Sequence, residues 1–178
     1  MLLIVSASPN AAGLTAACVE AATQGSATVG SAHLDLCKLR IERCQQCENG
    51  WGRCRREHRC IIEDDLPRLQ QALAGADGLI IVSPVYYGEL AESAKCAFDR
   101  LRRCEATRGE QSVLNGMPVI CIAAAGGSGG GITNCLTEME RLVQHLRGQI
   151  ADLIGVTQRN RGYKLDTICA AVTALAGK

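Results

Sequence analysis

The chain has 178 residues, 47% hydrophobic and 21% charged, with a formal net charge of +1. That length suits one domain over 1–178 with a sizeable core, and so even a charge balance gives no reason to expect nucleic acid or a membrane surface as partner. No apolar run approaches the roughly 18 to 20 residues of a membrane span, and Met1-Leu2-Leu3-Ile4-Val5 lacks the basic flank of an export signal, so a cytoplasmic protein is expected.

Short apolar runs alternate with amphipathic stretches. The pattern predicts a strand over Leu2 to Ser6, a helix from about Gly13 to Gln24 and a strand from Ser31 to Leu36, followed by a Cys- and Arg-rich insertion over about 41–63. Asp64 and Asp65 can cap a helix with Pro67 in its first turn and Leu66, Leu69 and Leu73 on its buried face. Gly78 to Ser83 reads as a third strand, and a helix with Ala94, Ala97, Phe98 and Leu101 on one face follows. Met117 to Ala125 is a fourth strand, Ile132 to Leu146 carries a 3.6-residue apolar stripe, Ile150 to Val156 is a fifth strand, and Leu165 to Ala176 closes the chain as a helix. Strands apolar throughout and separated by helices imply a parallel sheet covered on both faces. The expected fold class is therefore α/β, a flavodoxin-like doubly wound five-stranded parallel sheet of order 2-1-3-4-5 with a Cys-rich loop insertion. Ligands in such sheets sit beyond the carboxyl ends of the strands.

The loops at those ends are unusual. After the first strand, Ser8, Asn10, Gly13, Leu14 and Thr15 lie in a small, hydroxyl-rich turn that runs straight into a helix, where free N–H groups and the dipole suit a phosphate. A plain capping turn would use the same residues, and neither GxGxxG nor GK[ST] is present. After the third strand, Pro84-Val85-Tyr86-Tyr87-Gly88 places two of the chain's few aromatic residues where a flat ligand would lie. After the fourth, Gly126, Gly127 and Gly130 belong to a run of five glycines in six positions that lets backbone approach a ligand closely.

Ser8-Pro9-Asn10 with Gly13 and Thr15, Ser83 to Gly88 running on to Lys95-Cys96-Ala97-Phe98-Asp99-Arg100, and the Gly126 to Gly131 loop resemble the NADPH-dependent FMN reductase superfamily. Within it, the Cys-rich segment ending Cys60-Ile61-Ile62-Glu63-Asp64-Asp65 is most similar to the iron-sulfur flavoproteins. The resemblance implies a non-covalent FMN, with the first loop on its phosphate and the Tyr86 and Gly126 loops around the ring. It also implies NAD(P)H as a possible electron donor, and a homodimer or homotetramer whose partners are a small-molecule electron donor or acceptor or a redox partner protein. Asn10 stands where many members have Arg, and Leu14 where Asn is frequent, so the phosphate would lean on the helix end. Because the flavin supplies the redox chemistry, no side chain is assigned as a catalytic acid or base. The function expected is an NAD(P)H-dependent reductase of flavin, quinone or a similar acceptor; the alternative is an iron-sulfur flavoprotein that carries electrons between proteins.

Of eleven cysteines, seven (Cys18, Cys37, Cys96, Cys104, Cys121, Cys135 and Cys169) fall in or beside predicted elements and read as small core residues. The other four, Cys44-x2-Cys47-x6-Cys54-x5-Cys60, lie in the insertion. Their thiolates suit a [4Fe-4S] cluster or a tetrahedral zinc, the latter of four cysteines or of three with His58; two redox disulfides or a cofactor-free loop are further readings. In the iron-sulfur flavoproteins only two residues separate the second and third cysteines, which falls on Gly50 here, so Cys54 would substitute from a shifted place. Six arginines (Arg40, Arg43, Arg53, Arg55, Arg56 and Arg59) against Glu42, Glu48 and Glu57 leave the segment net positive, a balance suited to a solvated face, a cluster's negative charge or an acidic partner.

Overall fold

The computed structural model describes residues 1–177. Five strands form one parallel sheet: β1 (Leu2–Ser6), β2 (Ser31–Asp35), β3 (Gly78–Tyr86), β5 (Pro118–Ala125) and β6 (Gln149–Thr157), in the order β2-β1-β3-β5-β6. A two-residue strand, β4 (Glu89–Leu90), pairs antiparallel with the end of β3. Counting only the parallel strands, this is the 2-1-3-4-5 order expected of the flavodoxin-like fold; β4 is an addition the sequence reading missed.

Alternation along the strands builds two cores. Leu3, Val5, Leu79, Ile81, Val119 and Cys121 pack with α3 (Leu66–Ala74), α4 (Glu92–Glu105) and α5 (Ile132–His145) on one face. Leu2, Ile4, Ile80, Val82, Ile120 and Ile122 pack with α1 (Leu14–Gly25) and α6 (Arg161–Ala176) on the other. A sheet buried on both faces tolerates apolar side chains in both directions, which is why its central strands carry almost nothing else. The closing helix starts at Arg161, four residues earlier than predicted, and the insertion, read as loop, contains the one-turn helix α2 (Arg53–Arg56). Cys18, Cys104, Cys121 and Cys135 are buried as expected, whereas Cys37 is exposed and Cys96 and Cys169 are half-buried.

The insertion is fastened to the helices behind it by one buried ion pair. Arg100 of α4 is 1% exposed, and the Asp64 side chain it meets is fully buried. Its Nη2 donates to Asp64 Oδ1 at 3.0 Å, and its Nη1 donates to Asp64 Oδ2 and to the Glu42 carbonyl at 2.9 Å. Asp64 also accepts the Glu42 N–H at 2.9 Å and the Leu66 N–H at 3.1 Å, so it reaches the first N–H of α3 from one residue before the N-cap, whereas Asp65, the N-cap residue itself, makes no side-chain cap and gives its carboxylate to the Arg40 N–H at 2.8 Å. Burial alone would raise the Asp64 pKa; the Arg100 hydrogen bonds and the two backbone donors outweigh it and hold the carboxyl below its usual range.

Replacing Asp64 with Ala leaves the Arg100 charge buried without a partner, and we expect a loss of about 3 to 5 kcal/mol, read from the urea midpoint. Because the folded pKa lies below the unfolded value of about 3.9, the carboxylate's contribution is present above that pH and lost as pH falls through the lower folded value. An acid titration should therefore cost the wild type more stability below about pH 4 than it costs D64A.

Candidate functional site

The parallel register brings the loop-bearing ends of the strands to one edge of the sheet: Ser6 pairs with Val82, Pro84 with Ala124, and Ala125 with Thr157. At the β1 end, Ser8, Asn10 and Thr15 line a hollow of about 140 Å³ together with Ser6, His33, Asp35 and Lys38. Gly13 begins α1 without any side-chain cap, so the first N–H groups of the helix stay available for a ligand. Two of these side chains act locally as acceptors: Ser8 Oγ accepts the Asn10 N–H at 3.2 Å, and Asn10 Oδ1 accepts the Ala12 N–H at 3.1 Å, which leaves the Ser8 O–H, the Asn10 amide N–H₂ and the Thr15 hydroxyl as side-chain donors. Leu14 is packed in the core and offers only its backbone N–H. His33 and Asp35 of β2, and Lys38 in the short turn of helix that follows it, were not anticipated. The Ser6 hydroxyl and His33 Nε2 are 2.8 Å apart, and burial, more than the Lys38 charge, pushes the His33 pKa down against the pull of Asp35.

At the β3 end, Pro84 is buried in the sheet, Val85 is half-buried and the aromatic pair projects outward. Tyr87 and Gly88 both have left-handed backbone, φ +52° and +84°, between the paired residues Tyr86 and Glu89. This is the turn of a two-residue hairpin that twists with its strands. It explains why a Tyr-Gly pair follows Tyr86 and why Tyr87 stands fully exposed at the tip. Ser83 Oγ accepts the Ala91 N–H at 3.0 Å and Glu138 of α5 accepts the Leu90 N–H at 3.0 Å, while Glu138 also pairs with Lys95, so the hairpin is clamped from both sides. Tyr87 and Gly88 border a second hollow of about 310 Å³ with Glu89, Asn134, Thr137 and Arg141. Gly126, Gly127 and Gly130 are exposed and line neither hollow, but their loop meets the hairpin: a Cβ on Gly131 would stand 2.4 Å from the Gly88 Cα.

Away from this edge, Cys44, Cys47, Cys54 and Cys60 all line one small cavity, together with Gly50, Arg53, Arg100 and Arg103. Cys54, on α2, lines it with the other three cysteines. His58 does not line the cavity; its Nδ1 lies 3.1 Å from the Cys104 carbonyl oxygen. Trp51 stacks with Arg103 and Arg55, whose guanidinium carbons are 5.0 and 5.7 Å from the ring centre. Among the described residues no three His, Cys, Asp or Glu side chains converge on a single-ion position. Among the described residues the buried Nε atoms of Arg100 and Arg103 have no hydrogen-bond partner, although the Cys60 sulfur stands near enough to Arg100 to help Asp64 raise its pKa against burial. The core thiols differ in kind: burial pushes Cys18, Cys104 and Cys121 up to about 12 and Cys135 to about 11, away from thiolate chemistry.

The profile of the NADPH-dependent FMN reductase family matches residues 1–160. The chain belongs to that family. It is 37% identical over 57 residues to an iron-sulfur flavoprotein of Methanosarcina thermophila, covering 32% of this chain and 28% of that one. To an iron-sulfur flavoprotein of Methanocaldococcus jannaschii it is 31% identical over 100 residues, covering 55% and 50%. These matches span at most half the length of those relatives. A flavodoxin from the domain Archaea superposes with a TM-score of 0.65 at 13% identity over 99% of this chain and 97% of that chain, a likeness of fold alone.

The family's FMN finds suitable groups here: an uncapped helix end with Thr15 beside it, and an aromatic hairpin braced against a glycine loop. A Cβ at Gly131 would strike Gly88 and force a residue with a side chain into left-handed backbone, φ +82°. Gly131→Ala should therefore cost about 1 to 3 kcal/mol and loosen the hairpin, whereas Gly126→Ala, with nothing within 4 Å of its new Cβ, should leave the denaturation midpoint in place.

Proposed function

We propose that this protein binds FMN at the carboxyl edge of its sheet and acts as an NAD(P)H-dependent reductase of flavin, quinone or a similar acceptor. The observation that carries the reading is the placement of an uncapped helix N-terminus, a phosphate-sized polar hollow with Ser8, Asn10 and Thr15, and the Tyr86-Tyr87-Gly88 hairpin along one edge. FMN would supply hydride and single-electron chemistry when bound. The chain's own groups do the rest: the α1 N–H groups and the Thr15 hydroxyl hold the phosphate, Tyr86 and the Gly126 to Gly131 backbone flank the ring, and Pro84 and Val85 exclude water from beneath it. Tyr87, fully exposed, is available to a donor, an acceptor or a neighbouring copy in a dimer or tetramer.

A second group is favoured by a separate observation. Four cysteines line a cavity together with Arg100 and Arg103, each of which keeps a buried Nε–H without a hydrogen-bond partner among the described residues, and an anionic group in that cavity would supply the missing acceptor. A zinc ion needs its ligands about 2.3 Å from one point, which these thiols do not share; a [4Fe-4S] cluster held by Cys44, Cys47, Cys54 and Cys60 spreads its four attachment points around a larger body and is the reading we adopt. With it, the protein would be able to pass electrons between flavin and cluster, and so act as a carrier as well as a reductase.

Calorimetry should show FMN binding more tightly than riboflavin, with Thr15→Ala weakening FMN by about 1 to 3 kcal/mol and leaving riboflavin nearly unaffected; equal affinity for the two flavins would remove the phosphate argument. Anaerobic reconstitution with iron and sulfide should load about four irons per chain. Cys44→Ser, Cys47→Ser, Cys54→Ser and Cys60→Ser should each lower that content and the broad visible absorption while the FMN spectrum persists. Cys18→Ser and Cys121→Ser should do neither.

A further inference from the structure

Three arginines line the cysteine cavity, and they are not equivalent. Arg53 donates its Nε and Nη2 to Glu57 at 2.6 to 3.0 Å, so its charge is already matched. Arg100 is matched by Asp64, with both terminal nitrogens engaged. Arg103 differs. Its Nη1 donates to the Gly50 carbonyl and its guanidinium lies over the Trp51 ring, but among the described residues no carboxylate comes within 4.0 Å of it. Both Arg100 and Arg103 keep a buried Nε–H without an acceptor, and the i, i+3 spacing on α4 turns the two toward the same wall. The third buried atom without a partner, Glu105 Oε1, does not line this cavity; its carboxylate serves the Val113 N–H and Arg108.

We propose that Arg103, clamped by Gly50 and Trp51, is a positioning residue that presents an uncompensated positive charge and an Nε–H donor to a cluster in the cysteine cavity and raises its reduction potential. Arg100 adds a donor without net charge. The inference rests on the iron-sulfur reading above. A cluster bound by four thiolates is an anion, and taking up one electron makes it more negative by one unit. A fixed cation and an N–H donor at the sulfur shell therefore stabilise the reduced state more than the oxidised one, since hydrogen bonds to sulfur and local charge are the levers that set such potentials. The Trp51 stack and the Gly50 carbonyl hold the guanidinium in place, so its field does not relax away as a solvated side chain's would. An Arg in this position is not replaceable by Lys, which keeps the charge and loses the planar fork and its Nε–H.

The test compares anaerobically reconstituted wild type, Arg103→Gln, Arg103→Lys and Arg53→Gln, each checked for iron content and titrated with dithionite. The reduced cluster is followed by electron paramagnetic resonance, and the FMN absorbance in the same sample serves as an internal reference. We expect R103Q to shift the cluster's reduction equilibrium about tenfold toward the oxidised form, which is about 59 mV for a one-electron couple, with the flavin titration unmoved. R103K should shift less in the same direction and R53Q little. R103Q with full iron and an unchanged potential overturns the inference and leaves the iron-sulfur reading standing, as does R53Q shifting as far as R103Q. If R103Q does not hold iron, R103K decides: a potential equal to that of the wild type overturns the donor role. A wild type that takes up no iron overturns both the inference and the reading beneath it.

Discussion

The Arg100–Asp64 pair is the constraint on which the placement of the cysteine-bearing insertion depends. It gathers three strands of covalent logic at one buried point. Asp64 accepts the N–H of Leu66 at the start of α3 and that of Glu42, Arg100 reaches the Glu42 carbonyl, and Arg40 is tied to Asp65 and to the Glu63 carbonyl. Glu42 and Asp64 bracket the four cysteines, so this node closes the base of the insertion. The conformational entropy of a loop with little secondary structure works against any fixed arrangement of four thiols, and a buried, hydrogen-bonded ion pair at the loop's base supplies the fixed boundary that a helix or a sheet would otherwise give. Neither partner tolerates the loss of the other, because the charge left behind would be buried without water.

Much of the fold was legible because the hydrophobic pattern leaves little choice. Runs such as Leu79-Ile80-Ile81-Val82 are apolar in both side-chain directions, which only a sheet covered on both faces accommodates. The parallel order then fixes where the three loops must meet. What the pattern could not reveal were features held by single contacts. The β4 hairpin needs Tyr87 in left-handed backbone, a conformation residue types alone argue against; the Tyr-Gly pair after a strand was the available hint. The early start of α6 at Arg161 lies in a polar stretch with no apolar periodicity to mark it.

Site residues were legible to different depths for the same reason. Ser8, Asn10 and Thr15 are local in sequence and fall into one hollow, while His33, Asp35 and Lys38 join them from β2 only because β2 pairs with β1. The four cysteines were visible as a cluster in sequence, but the arginines that share their cavity were sought inside the insertion. Of those, Arg53 lines the cavity, and the two with unsatisfied donors come from α4, some forty residues beyond it. Three-residue spacing of Arg100 and Arg103 on an otherwise amphipathic helix was the available sign, since a helix facing a hydrophobic core on that side should not carry two guanidinium groups there without something for them to bind.

Helix α4 also sets the relation between the two candidate sites. It begins where the hairpin ends, with the Ala91 N–H held by Ser83, and carries Arg103 eleven residues past Glu92. At 1.5 Å per residue that is about 16 Å along one straight element. Lys95, near its start, pairs with Glu138, which also holds the hairpin, and Arg100, farther along, pairs with Asp64, which holds the insertion. The edge proposed for the flavin and the cavity proposed for the cluster are thus both braced on one helix by ion pairs at either end. Their separation is set by a hydrogen-bonded helical rod instead of by loops that change length with thermal motion, and a fixed separation between redox groups is what electron transfer within one chain requires of its protein.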